Sequence, residues 1–133
     1  MKVRDSGMPH VELWNRLFDV DNILFELEIN QQVSKLVEIG SGYGTFTLPA
    51  SKKIAGMIYA FDVDRDMISY LDQHIELQDI NNVITECRDV LEYTTGLDDN
   101  SVDYMMLFNI LHDEKPEKFF EHYKNGIQTA SAL

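Results

Sequence analysis

The glycine-rich segment from Gly40 to Gly44 constrains the fold of this chain more than any other feature. It follows the short apolar run Leu36–Ile39, which contains the acid Glu38, and precedes an amphipathic segment from Phe46 to about Ala55. Alternate glycines allow a tight turn and a ligand placed directly against the main chain. The pattern therefore predicts a buried strand, a turn and a helix whose N-terminus faces a nucleotide-type ligand.

Strands and helices alternate along the rest of the chain. This alternation, with nearly continuous apolar strands, predicts an α/β fold: a Rossmann-like, mostly parallel sheet flanked by helices. We expect one domain over residues 1–133, with an N-terminal helical cap at 8–30 and a core at 35–125. The predicted strands are 36–39, 57–61, 83–87 and 102–108, and the helices after them are 45–55, 65–77 and 115–126. Thr45 and Asp64 are the predicted caps of the first two.

Composition excludes several classes of partner. The net charge is −12 and the basic residues form no run, which disfavours nucleic acid and anionic membranes. No apolar stretch approaches the length of a membrane span. Cys87 is the single cysteine, so neither an intrachain disulfide nor a thiolate metal cluster is expected, and no metal site is predicted. We expect a cytoplasmic protein.

Three signals fall at the carboxyl ends of successive predicted strands, where open α/β sheets bind ligands. The glycine loop follows the first strand. Asp62 ends the second strand, 22 residues after Gly40, and is placed to accept hydrogen bonds from a ribose diol. Asp89 and Val90 follow the third strand, where a carboxylate and an apolar side chain suit an adenine ring. Together these signals predict an adenosine-containing ligand.

The glycine spacing distinguishes between adenosine ligands. Nicotinamide sites favour a third glycine where this chain has Thr45. Glu38, two residues before the first glycine, suits a ligand that carries positive charge better than a pyrophosphate. A nicotinamide-dependent oxidoreductase therefore remains only as a disfavoured alternative.

The four segments Val37–Thr45, Tyr59–Met67, Cys87–Val90 and Asp99–His112 resemble the class I S-adenosylmethionine-dependent methyltransferases, in particular the small-molecule type of ubiquinone and menaquinone biosynthesis. The resemblance implies that the methionine part of the cofactor is surrounded by Glu38 and by the loop residues Gly40, Ser41, Gly42, Tyr43 and Gly44, and that Thr45 also belongs to the cofactor site. It further implies that Asp62 holds the ribose, and that the adenine and the sulfonium are contacted by Val63, Met67, Asp89, Val90 and Asn109.

The implied reaction is direct displacement on the sulfonium methyl, with S-adenosylhomocysteine as product and a small molecule as acceptor. Such an enzyme mainly aligns the reacting atoms, and it needs a general base only when the nucleophile arrives protonated. His112 and Asp113 are the nearby candidates for that base, but no catalytic residue is assigned.

The family's sheet has seven strands in the order 3-2-1-4-5-7-6, whereas this sequence suggests four strands followed by a helix. The residues after Gly126 are small and weakly patterned, so we expect a C-terminally truncated methyltransferase without its last strands. The edge of strand four would then be uncovered, and pairing of two copies through it is the expected homodimer. A non-catalytic cofactor-binding or interaction module is the second alternative.

Overall fold

The computed structural model describes residues 19–97, 101–107 and 128–131. Its helices are α1 (Val20–Glu26), α2 (Thr47–Ser51), α3 (Arg65–Leu77) and α4 (Val90–Tyr93), and its strands are β1 (Lys35–Ile39), β2 (Met57–Asp62), β3 (Val83–Cys87), β4 (Tyr104–Leu107) and β5 (Gln128–Ser131). None of the helices in these ranges has the length and apolar character needed to cross a lipid bilayer.

The five strands form one parallel sheet in the order β3-β2-β1-β4-β5. β1 lies at its centre, with Glu38 opposite Ala60 of β2 on one side and Met106 of β4 on the other. The four residues Leu36–Ile39 are all buried, as expected for a strand covered on both faces. The predicted parallel α/β architecture is confirmed.

Alternate side chains of each strand point to opposite faces of the sheet, and each face carries its own apolar core. Leu36, Ile58 and Met106 point to the face that α1, α2 and α3 cover, whereas Val37, Phe61 and Met105 point to the face where Val90 and Val102 pack. Side chains two residues apart in a strand share a face. Glu38 and Asp62 therefore point to the same side as Leu36 and Ile58, towards α2 and α3.

Helix α3 and strand β3 begin and end where the sequence predicts. Asp64 caps α3, since its carboxylate accepts a hydrogen bond from the Asp66 N–H, and Ile68 and Leu71 are buried beneath the helix. The preceding helix is shorter than predicted: α2 ends at Ser51, because the N–H groups of residues 52 and 53 bond three residues back. Its cap position is Phe46, so the prediction of Thr45 was wrong by one residue, within the usual scatter of helix ends.

The expectation that the chain stops after four strands was wrong. Gln128–Ser131 forms β5, which pairs in parallel with β4 and brings Thr129 opposite Met105. Small, weakly patterned residues give little strand signal, but the backbone of β4 offers an unsatisfied edge, and pairing with it decides the conformation. Strand β5 therefore covers the edge of β4 on which the predicted homodimer was based. The homodimer stays a prediction, but this edge no longer supports it.

The described strands correspond to the first five of the order 3-2-1-4-5-7-6 expected from the sequence. Of the predicted N-terminal helical cap, the structure describes α1, whose cap Asp19 accepts a hydrogen bond from the Asn22 N–H. The predicted helix at 115–126 lies outside the described residues.

Candidate functional site

The glycine loop follows β1, and at every second position its backbone has a conformation that favours glycine. Gly40, Gly42 and Gly44 have φ angles of 77°, 57° and 83°, in the left-handed region where other residues are strained. The N–H groups of Gly40 and Ser41 donate to the Phe61 carbonyl at 2.8 and 3.1 Å. The loop is therefore held against the end of β2.

Asp62, at that end of β2, connects the loop to the start of α3. One carboxylate oxygen accepts the Gly42 N–H and the other accepts the Asp64 N–H, each at 2.8 Å. Burial raises the pKa of Asp62, and these backbone hydrogen bonds oppose the rise. A carboxylate offers about four acceptor positions. Asp62 can thus support the loop and still accept hydrogen bonds from a ligand.

Glu38 is a buried acid beside the same loop. Its side chain is 1% exposed, and the Thr47 hydroxyl at the start of α2 donates a hydrogen bond to it. Burial raises the pKa of Glu38 to about 8, the Thr47 hydrogen bond opposes that rise, and the negative charge of Asp62 adds to it. Two buried carboxyls on one face of the sheet favour a ligand that brings positive charge.

Ser41 supplies an unsatisfied hydroxyl within the loop. The side chain is 4% exposed, and its Oγ has no hydrogen-bond partner among the residues that the structure describes. A buried polar group without a hydrogen-bond partner costs free energy. A ligand atom that pairs with this hydroxyl would remove that cost.

Tyr43 and Asp89 are predicted residues that lie in the glycine loop and after β3. The Tyr43 ring meets the Tyr70 ring edge to face, with centroids 5.3 Å apart. The Arg88 N–H donates to the Asp62 carbonyl at 2.9 Å and so brings the end of β3, with Asp89 next along the chain, to the same edge of the sheet.

Thr45, Val63, Met67 and Asp89 are half-buried, whereas Val90 is buried among the apolar side chains of the opposite face. Their contacts with a cofactor stay predictions. Asn109, His112 and Asp113 lie outside the described residues.

Thr47 is the functional candidate that the sequence did not reveal. It lies nine residues after Glu38, and no local pattern joins the two positions. Their contact exists because α2 packs back on the face of β1 to which Glu38 points. A hydroxyl in the first turn of the helix after a glycine loop was the available signal, but its partner depends on this packing.

Residues 36–128 match the family described as the methyltransferase domain, which is more than half of the chain. This chain belongs to the class I S-adenosylmethionine-dependent methyltransferases. No curated protein matches it in sequence.

Solved structures share the methyltransferase fold at low identity. An S-adenosylmethionine-dependent methyltransferase from Aquifex aeolicus has a TM-score of 0.76 at 24% identity, over 92% of this chain and 66% of that one. An S-adenosylmethionine-dependent O-methyltransferase from Thermotoga maritima has a TM-score of 0.67 at 16% identity, over 85% and 42%. The cyclase SpnF has a TM-score of 0.71 at 16% identity, over 94% and 45%. The chain thus spans between about two-fifths and two-thirds of the length of these structures.

Proposed function

We propose that this chain binds S-adenosylmethionine at the edge of the sheet formed by Glu38, the glycine loop and Asp62, and that the protein transfers its methyl group to a small molecule. The observation that carries the proposal is the pair of buried carboxyls beside a loop with an unsatisfied buried hydroxyl, Ser41. A ligand with a positive charge and several hydroxyl and amino groups complements such a site. Membership in the methyltransferase family supports the same cofactor.

Each residue contributes a separate part of the binding. Asp62 retains acceptor capacity for ribose hydroxyls after its two backbone hydrogen bonds. Glu38, held by Thr47, places a carboxyl beneath the loop, and its ionised form stabilises a nearby cation. The left-handed glycines let the cofactor approach the main chain. S-adenosylmethionine, when bound, supplies an electrophilic methyl group on a positively charged sulfur.

A small molecule is the proposed acceptor because the charge of the chain disfavours the main alternative. The net charge of −12 repels a nucleic-acid backbone, and the basic residues that could release counterions on binding form no run in the sequence. SpnF, a cyclase with this fold, illustrates that the fold alone does not determine the reaction. Cofactor binding and methyl transfer therefore need separate tests.

Calorimetric titration with S-adenosylhomocysteine tests the cofactor site. We expect saturable binding, with NAD as the non-binding control. Asp62→Asn removes the negative charge but keeps the size of the side chain. It should weaken binding by roughly 10- to 100-fold, the range for hydrogen bonds to a charged group. Asp79→Asn, at an exposed position after α3, is the matched control and should bind normally.

Circular dichroism must show that each variant is folded, because Asp62 also supports the loop. Absence of binding by the folded native chain, or equal affinity for NAD, would contradict the proposed cofactor site. The acceptor class is tested by incubating the protein with methyl-labelled cofactor and a cell extract. The expected result is label in a new small molecule that chromatography separates from the unreacted cofactor and that is absent when the protein is left out, and label in nucleic acid or protein that depends on the protein would contradict it.

A further inference from the structure

The β3 loop, residues 88–97, follows β3 and folds back towards the end of that strand. The carbonyl of Asp89 accepts the N–H groups of Glu92 and Tyr93 at 3.2 and 2.9 Å, so α4 begins directly after Asp89. Thr94, which follows α4, has a φ angle of 56°, in the left-handed region that costs free energy for a residue with a side chain. Such a turn persists where the contacts around it hold it in place.

The Arg88 guanidinium supplies contacts of this kind. Its Nε donates to the Thr94 carbonyl at 2.6 Å, and its Nη2 donates to the Tyr93 carbonyl at 2.9 Å. The guanidinium also lies against Gly96, where an added Cβ would be 3.3 Å from it. Because a guanidinium is planar and presents its N–H groups in a fixed geometry, these contacts hold the turn after α4 against the end of β3.

Glu86 also faces this guanidinium, and it contributes little. Its carboxylate lies 3.6 Å from Nη1 of Arg88, and the Glu86 side chain is 49% exposed, against 28% for that of Arg88. An ion pair at such exposure is weak in water. The two carbonyl hydrogen bonds therefore hold the β3 loop more strongly than the ion pair does.

The main chain of Arg88 connects the β3 loop with the candidate cofactor site. Its N–H donates to the Asp62 carbonyl at 2.9 Å, and β3, β2 and β1 are neighbours in that order. A ligand whose amino-acid part lies on the glycine loop after β1, and whose ribose meets Asp62 at the end of β2, therefore extends towards the end of β3. In S-adenosylmethionine the ribose joins the amino-acid part to adenine, so under the proposed function the base meets the β3 loop at Asp89.

We propose that Arg88 is a positioning residue for adenine recognition: by holding the turn after α4, its guanidinium presents Asp89 to the amino group of the base. A carboxylate accepts the hydrogen bonds that an amino group donates, but it repels the carbonyl oxygen that hypoxanthine carries at the same position. Arg88 itself needs no contact with the cofactor. This role rests on the proposed cofactor site and gives that site a determinant of base selectivity.

Base selectivity is measured by calorimetric titration of the full chain with S-adenosylhomocysteine and with S-inosylhomocysteine, whose base carries a carbonyl in place of the amino group. We expect the native chain to prefer the adenosyl ligand by about 10-fold or more. Arg88→Gln removes the guanidinium. It should weaken binding of S-adenosylhomocysteine by about 5- to 20-fold and binding of S-inosylhomocysteine by less than about 2-fold. A general loss of packing would instead weaken binding of both ligands equally.

Two further variants separate the hydrogen bonds of Arg88 from its charge. Arg88→Lys keeps the positive charge but lacks the planar set of donors, and it should lower the selectivity for the adenosyl ligand by about 2-fold or more. Glu86→Gln removes the partner of the ion pair and leaves both carbonyl hydrogen bonds, so it should bind both ligands as the native chain does.

Circular dichroism shows whether each variant is folded, and Arg88→Lys carries the test alone if Arg88→Gln is not. Failure of the native chain to bind S-adenosylhomocysteine would refute the proposed cofactor site, and the role of Arg88 with it. If the native chain does bind, three results would each overturn the role of Arg88 alone: equal native affinity for the two ligands, native selectivity in the folded Arg88 variants, or the same loss of selectivity in Glu86→Gln.

Discussion

Replacing Glu38 with glutamine should flatten the dependence of stability on pH. Burial raises the pKa of Glu38 to about 8 in the folded chain, against an ordinary value of 4.5. Because the folded pKa lies above the unfolded one, the folded chain holds this proton between the two values. The stability that it contributes is present below about pH 4.5 and is lost as the pH rises through about 8.

The size of the change in stability follows from the pKa shift of Glu38. Each pH unit within this window lowers the free energy of unfolding by about 1.4 kcal/mol for one proton. From pH 5 to pH 8, Glu38 should therefore remove about 3 to 4 kcal/mol. The side chain is 1% exposed, so solvent screens this cost little. Glutamine cannot ionise, and its carbonyl oxygen can still accept the Thr47 hydroxyl.

The assay is urea unfolding followed by circular dichroism at several values between pH 5 and pH 8. We expect the native chain to lose stability across this range by about 3 to 4 kcal/mol more than Glu38→Gln does. Asp62, whose pKa is also raised, is present in both proteins, so the comparison removes its own contribution and retains only its charge coupling to Glu38. Glu76→Gln, an exposed position on α3, is the control and should follow the native profile. Parallel profiles for Glu38→Gln and the native chain would refute the reasoning.

Two further substitutions test the loop and its packing. Ser41→Ala should raise the stability of the cofactor-free chain by up to about 1 kcal/mol, because it removes a buried hydroxyl without a partner, and should weaken S-adenosylhomocysteine binding by about 3- to 10-fold. Ser51→Ala, which loses a hydroxyl that donates to the Leu48 carbonyl, is its control and should lower stability; a loss of stability in Ser41→Ala, or unchanged affinity, would contradict the assignment. Gly56→Ala should destabilise by about 3 kcal/mol or more in urea unfolding, since its Cβ would lie 1.6 Å from the Ser34 carbonyl oxygen. At Gly96 the added Cβ would lie 3.3 Å from the Arg88 guanidinium, which donates hydrogen bonds to the Thr94 and Tyr93 carbonyls, and Gly96→Ala should cost about 1 to 2 kcal/mol for its positive φ. A loss of stability equal to or larger than that of Gly56→Ala would show that the close approach at Gly56 does not set the cost.

Local patterns in the sequence predicted much of the sheet and its ligand edge. The apolar run before Gly40 predicts a buried strand, and the apolar stripe of α3 predicts a helix with one buried face. Both patterns involve only residues that are close together in the chain. Asp62 was recognisable because strands of a parallel sheet end at one edge. Its position in the sequence after the glycines predicted that it lies at the same edge of the sheet as the glycine loop.

Such patterns could not predict contacts between segments that are distant in the sequence. The short segment Gln128–Ser131 has little strand character of its own and becomes β5 because β4 offers a backbone edge. Likewise, the hydrogen bond from Thr47 to Glu38 depends on how α2 packs on β1. Propensity and periodicity describe a residue and its near neighbours, and neither contains information on such partners.

Local sequence patterns predicted the first four strands, the helices after β1 and β2, the glycine loop and the acids beside it, because these depend on backbone freedom and the alternation of apolar residues. Packing of segments that are distant in the sequence sets which groups those acids contact, leaves the Ser41 hydroxyl buried without a partner among the described residues, and brings rings from the loop and α3 together. Burial and hydrogen bonding set the protonation of Glu38, and both arise only when the helices close over the sheet.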